Sequence, residues 1–138
     1  MILGIGVDLC EVERIEAAIA RHGERFLQRI YTPAEQAYCE SKINRMERFA
    51  GRFAAKEAAM KALGTGWRRG VAWRDFEVAR AESGQPIIRL HGAAREIAEQ
   101  MGVQRALVTI THTKSMAMAQ VVMEDGGIQQ SQATAGLL

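Results

Sequence analysis

The sequence predicts an α+β fold, a single small domain in which an antiparallel sheet packs against one long helix. Three observations carry this. Residues 45–63 form an alanine-rich run without proline that ends at Gly64, as a long helix does. Two apolar segments near the end, 105–111 and 116–124, are joined by the short polar run His112-Thr113-Lys114-Ser115 and read as paired strands. The order β-α-α-α-β-β-α-β-β lacks the strict alternation of a parallel βαβ array.

Each element has its own signal. Residues 1–8 read as a buried strand, with Leu3, Ile5, Val7 and Leu9 on one face and Gly4, Gly6 and Asp8 on the other. The second face carries little bulk, so a helix or a ligand can approach it closely. After Asp8 the period becomes helical, with Val12, Ile15 and Ile19 inward and Gly23 as the stop. Phe26, Leu27 and Ile30 mark a short apolar helix. Thr32-Pro33-Ala34-Glu35 is a helix start, with Thr as cap, Pro at the first helical position and Glu reaching back. Residues 71–80 and 87–90 read as strands flanking a hairpin loop, Glu82-Ser83-Gly84-Gln85-Pro86. Ala94, Ile97, Ala98 and Met101 give a helix over 93–101. The domain is expected to span 1–124, with the small polar stretch 125–138 outside the core.

Composition narrows the function. A chain of 138 residues fits one domain and buries enough surface to fold without disulfides. Eighteen basic against sixteen acidic residues leave +2, and aromatics are only 6%, which together argue against a nucleic-acid partner. Cys10 and Cys39 make no disulfide framework and no zinc spacing, so they read as inert thiols in a reducing cytoplasm. The N-terminus lacks the basic start of a signal peptide, and no apolar run nears the ~20 residues a membrane span needs. Gly4-Ile5-Gly6 lacks the third glycine of a dinucleotide loop, and no GxxxxGK[ST] exists.

Two places could carry chemistry. Asp8 ends the glycine face of the first strand, where a carboxylate can meet a metal or phosphate. With Glu11 three residues on it also reads as a helix cap, which spacing alone favours. On the long helix Phe53, Glu57 and Lys61 recur every four residues on one face, with Arg52 and Lys56 on the adjoining stripe. A surface Glu–Lys pair worth a few tenths of a kcal/mol explains them as well as a ligand site does. His112, among Thr111, Thr113, Lys114 and Ser115, sits in a loop of the kind that carries function, though a plain turn needs the same small polar residues. His22 and His91 read as surface or helix-end residues. Met116 and Met118 alternate with alanines and read as core or interface filling.

Taken together, three motifs resemble the holo-[acyl-carrier-protein] synthase family, the small single-domain type of 4′-phosphopantetheinyl transferase. They are Gly4-Ile5-Gly6-Val7-Asp8 with Arg14 following, Gly51-Arg52-Phe53-Ala54-Ala55-Lys56-Glu57-Ala58 with Lys61-Ala62-Leu63-Gly64-Thr65-Gly66, and Ile110-Thr111-His112-Thr113-Lys114. The resemblance runs from residue 1 to about 124, in order. It implies transfer of 4′-phosphopantetheine from coenzyme A to a serine of acyl carrier protein for fatty acid biosynthesis, releasing adenosine 3′,5′-bisphosphate, with magnesium.

What it implies residue by residue is specific. Asp8 and Glu57 match the metal-binding carboxylates, a set suited to Mg²⁺. Glu57 and Lys61 match catalytic positions, Lys61 contacting the phosphates. The proton acceptor for the serine is either Glu57 or a water held at the carboxylates. Arg52, His112 and Thr113 match contacts to the nucleotide's 3′-phosphate region, and Gly64 and Gly66 a loop close to coenzyme A. Pro86 matches a loop near the pantetheine end. Arg14 matches a carrier-binding arginine, with Arg21 on the same face and Arg25 and Arg29 extending the patch. The family is a homotrimer with sites between subunits, which suits the apolar last strand. A stretch as long as 125–138 departs from its usual short C-terminus. Two competing readings remain. A non-catalytic module binding an acidic protein or nucleotide through Arg14, Arg21 and Arg52 would need no carboxylate pair, and an inactive homologue would not need Lys61.

Overall fold

The computed structural model describes residues 1–126. Its elements are β1 (Ile2–Glu11), α1 (Val12–His22), α2 (Glu24–Ile30), α3 (Pro33–Glu40), α4 (Arg45–Leu63), β2 (Phe76–Arg80), β3 (Pro86–Leu90), α5 (Gly92–Met101), β4 (Arg105–His112) and β5 (Met116–Glu124). Four helices precede the second strand where the expected order counts three; the short helix expected at Phe26–Ile30 is present as α2. Antiparallel pairing gives a three-stranded sheet, β1-β5-β4, and a separate β2-β3 hairpin. The expected tail lies outside the described residues except for Asp125 and Gly126, and the Asp125 N–H donates to Met1 O at 3.1 Å.

Helix α4 lies across the sheet and forms the centre of the core, with Phe49, Ala50, Ala54, Ala55, Ala58 and Ala59 all fully buried. Alanine there keeps the helix close to β1, and the glycines of β1 complete the fit. A Cβ on Gly4 would stand 1.8 Å from Ala62 O, and one on Gly6 2.0 Å from Ala58 O. The glycine face therefore meets a helix, as its low bulk predicts.

The opposite face of the sheet departs from expectation. Ile5, Val7 and Leu9 are 59%, 50% and 60% exposed, and Leu107 and Met118 lie exposed beside them. Strand β1 is thus not buried on both faces. The register places Leu9 opposite Met118, so these side chains form one continuous apolar surface.

Three other expectations shift. Residues 71–75 are not strand: a 3₁₀ turn, Trp73–Asp75, precedes β2. Pro86 opens β3 instead of closing the loop, pairing with Arg80 at a strand start where a missing N–H is tolerated. Lys56 neither faces solvent nor a ligand. It is fully buried, its Nζ 2.8 Å from Oε1 of the equally buried Glu35. Burial lowers the Lys56 pKa from its usual value, and Glu35 opposes that shift. The expected capping box of α3 is present, with the Thr32 N–H donating to Glu35 Oε1 and the Glu35 N–H to Thr32 Oγ1.

Candidate active site

Asp8 is no helix cap. Strand β1 runs three residues past it, and α1 starts after Glu11 without any side-chain cap. The continued pairing of Leu9, Cys10 and Glu11 with β5 holds the strand extended and leaves Asp8 on the glycine face, against α4. There the Lys61 Nζ donates to Asp8 Oδ1 at 3.2 Å and to Val7 O at 3.0 Å. The Asp8 side chain is only 10% exposed, and its Oδ2 is buried without a hydrogen-bond partner.

Glu57 lies beside Asp8. Burial pushes the Glu57 carboxyl above the usual carboxylate range, the Asp8 carboxylate adds to the rise, and Arg14 and Lys61 oppose it. Two carboxylates that cannot both ionise cheaply, one with an orphaned buried oxygen, fit a divalent cation. No cluster of three or more His, Cys, Asp or Glu ligands occurs among the described residues. A hard cation that keeps most of its shell for water and substrate phosphate needs only such a pair, which is the habit of Mg²⁺.

Glu57 and Lys61 open onto a pocket shared with Gly66, Met60, Trp67 and Trp73. Gly64 ends α4 in the left-handed conformation, φ 79°, and Gly66 follows at φ 52°. Their Cβ positions are unobstructed, so backbone conformation is what these two glycines supply.

Arg52, Pro86 and His112 gather in a different pocket, with Tyr38, Glu47, Arg48 and Arg80. Pro86 therefore lies with the nucleotide candidates, away from Glu57 and Lys61 of the same chain. His112 Nδ1–H donates to Glu47 Oε1 at 2.8 Å, which fixes the ring on the first turn of α4. Arg52 and Arg80 stack on Tyr38, at 4.1 and 4.8 Å from the ring centroid, and the Arg52 Nε is buried without a partner. Sequence reasoning missed Tyr38, Glu47, Arg48 and Arg80, and no spacing ties them together. Thr113 is not brought into this pocket: its Oγ1 accepts from the N–H groups of Ser115 and Met116 and closes the turn.

Nine residues separate Arg52 from Lys61, about two and a half helical turns, so the two side chains leave α4 on opposite sides, about 14 Å apart along the axis. On α1, Arg14 and Arg21 border one shallow groove, and the Arg14 guanidinium lies 5.4 Å from the Phe53 ring centroid. Arg25 and Arg29 border a neighbouring hollow with Phe26.

A fold that pairs strand and helix carboxylates with a lysine, and adds a separate arginine–histidine pocket, defines the class. Residues 4–121 match the profile of the 4′-phosphopantetheinyl transferase superfamily, and the chain belongs to that superfamily. Within it, the chain is 56% identical over 125 residues to the holo-[acyl-carrier-protein] synthase of Solibacter usitatus, covering 91% of this chain and all of that one. The crystal structure of the Neisseria meningitidis holo-[acyl-carrier-protein] synthase is similar at a TM-score of 0.83 and 33% identity, covering 90% of this chain and 99% of that one. The Helicobacter pylori synthase in complex with coenzyme A is similar at a TM-score of 0.77 and 31% identity, over 87% and 99%.

Proposed function

We propose that this chain transfers the 4′-phosphopantetheine of coenzyme A to a serine of apo acyl carrier protein, as a holo-[acyl-carrier-protein] synthase serving fatty acid biosynthesis. The observation that carries the reading is the Asp8–Glu57–Lys61 group, built where the glycines of β1 let α4 come close.

In the reaction the serine Oγ attacks the phosphorus that bears pantetheine. The bond from that phosphorus to the adenosine-side phosphate oxygen breaks, and adenosine 3′,5′-bisphosphate leaves. The hydroxyl proton passes to Glu57 or to a water held at the Asp8–Glu57 pair. Lys61, 55% exposed, offsets charge on the departing phosphate oxygens. Asp8 and Glu57 would hold Mg²⁺, which when bound neutralises pyrophosphate charge. Arg52 and His112 bind the 3′-phosphate region, with Arg48 and Arg80 adding charge there. Gly64, Gly66 and Pro86 belong to the coenzyme A surface.

The working unit in this reading is a homotrimer. The exposed apolar surface of Ile5, Val7, Leu9, Leu107 and Met118 supports it, since a contiguous patch of this kind needs a cover. So does the division of the site: with Arg52 and Lys61 on opposite sides of α4, the nucleotide pocket of one subunit completes the carboxylate pocket of its neighbour. An acidic carrier protein docks on Arg14 and Arg21, with Arg25 and Arg29 beside them. No helix among the described residues is long and apolar enough to cross a membrane. Both cysteines are free and buried, which fits a cytoplasmic setting.

The test is incubation with coenzyme A, Mg²⁺ and apo carrier, following release of adenosine 3′,5′-bisphosphate. Release that depends on the carrier serine supports the reading. No release with an apo carrier that another synthase modifies would overturn it.

A further inference from the structure

The buried Lys56 has a geometry that the transfer reaction leaves unexplained. Its ammonium has three donors and meets three acceptors: Glu35 Oε1 at 2.8 Å, Phe76 O at 2.7 Å and Trp73 O at 3.3 Å. Glu35 is equally complete, taking the Thr32 N–H on Oε1 and the Val78 N–H on Oε2, each at 2.7 Å. One fully satisfied pair thus ties the start of α3, the middle of α4, the 3₁₀ turn and β2. Only a lysine ammonium fills this role, because an apolar replacement leaves three acceptors unpaired and a guanidinium is planar and larger.

A buried ion pair is weak evidence for stability, since desolvation offsets much of the attraction. What it supplies is a fixed geometry, and the geometry here concerns Trp73. Lys56 holds the Trp73 carbonyl, while Phe53, one helical turn before Glu57, stacks on the Trp73 ring at 4.9 Å and 23°. Both anchors come from α4. The ring is thereby registered to the helix that carries Glu57 and Lys61, and it walls their pocket with Met60 and Trp67.

We infer that Lys56, paired with Glu35, is a positioning residue that sets Trp73 as the apolar wall of the Glu57–Lys61 pocket, where it packs against the pantetheine arm of coenzyme A. The inference rests on the proposed transfer function. The phosphates belong beside Lys61 and the arm leaves from them, so an indole wall next to that point meets an uncharged chain.

The test measures binding of coenzyme A and of adenosine 3′,5′-bisphosphate, which lacks the arm, to the wild type, Lys56→Met, Trp73→Leu and the double variant, all with Mg²⁺. Lys56→Met and Trp73→Leu should each weaken coenzyme A about tenfold and leave the bisphosphate within about twofold, a loss near 1.4 kcal/mol. The double variant should be no weaker than either single one, because one residue acts through the other. Equal losses for both ligands, no loss for coenzyme A, or additive losses in the double variant overturn the inference. If Lys56→Met does not fold, Glu35→Gln takes its place in the same cycle. Failure of the wild type to bind coenzyme A would instead overturn the functional reading.

Discussion

Lys61 and Asp8, 53 residues apart in sequence, meet at 3.2 Å where α4 crosses β1, and the second oxygen of Asp8 is left buried with nothing to accept from. That contact depends on the two glycines before Asp8 on the same strand face. With any larger residue at Gly4 or Gly6 the helix would stand off, and Lys61 would fall short of the carboxylate.

The approach at Gly6 gives a first expected outcome. Gly6→Ala places a methyl 2.0 Å from Ala58 O, a backbone atom in the middle of a helix that cannot move alone. The variant should lose about 3 kcal/mol by denaturant unfolding, at the upper end of overpacking costs. A loss below about 1 kcal/mol would show that β1 and α4 are less closely docked than described.

This dependence explains what could be read from residues alone. The glycine face, the capping box of α3 and the limits of α4 are local patterns, and each was visible as such. Asp8 was misleading because Asp followed by Glu at three residues also describes a cap, and only pairing of Cys10 and Glu11 with β5 decides against it. Lys56 and Glu35 are 21 positions apart, and no periodicity joins them. In the sequence Arg52 reads as part of the stripe adjoining Lys61, but nine residues make a half-integral number of turns and put the two on opposite sides of α4. The exposed side of the sheet was not legible either: alternation assigns Ile5, Val7 and Leu9 to one face without saying what covers it.

Function and stability should oppose each other at Glu57. Its folded pKa lies above the unfolded value, so the folded state holds more protons and stability falls as pH rises through that interval. Glu57→Gln removes the charge conflict with Asp8. In excess chelator at neutral pH its Tm should be no lower than the wild type's, while its transfer measured with Mg²⁺ falls by more than about 100-fold. A clearly lower Tm would mean that the carboxylate pair is not a source of strain.

Carrier recognition should separate from coenzyme A binding. Arg14→Glu should raise KM for the carrier about tenfold or more and change KM for coenzyme A little. Carrier affinity of the wild type should fall with added salt, because exposed charges are screened beyond ~10 Å at 0.1 M. An unchanged carrier KM in the variant removes Arg14 from the interface.

The proposed sharing of sites between subunits makes a distinctive expectation for mixtures. Lys61→Ala and His112→Ala proteins should each be impaired at every site. Mixed trimers refolded from both contain sites where an intact Lys61 faces an intact His112, so part of the activity should return. Mixed trimers, confirmed by mass, that stay at the level of their parents would place both residues in one subunit's site.

The most direct measurement is the intact mass of an apo acyl carrier protein after incubation with coenzyme A, Mg²⁺ and either the wild type, Asp8→Ala or Glu57→Gln. The account predicts that the wild type adds one phosphopantetheine to the carrier, at its serine, and that both folded variants leave the carrier unmodified. An unmodified carrier with the wild type, or full modification by either variant, would contradict it.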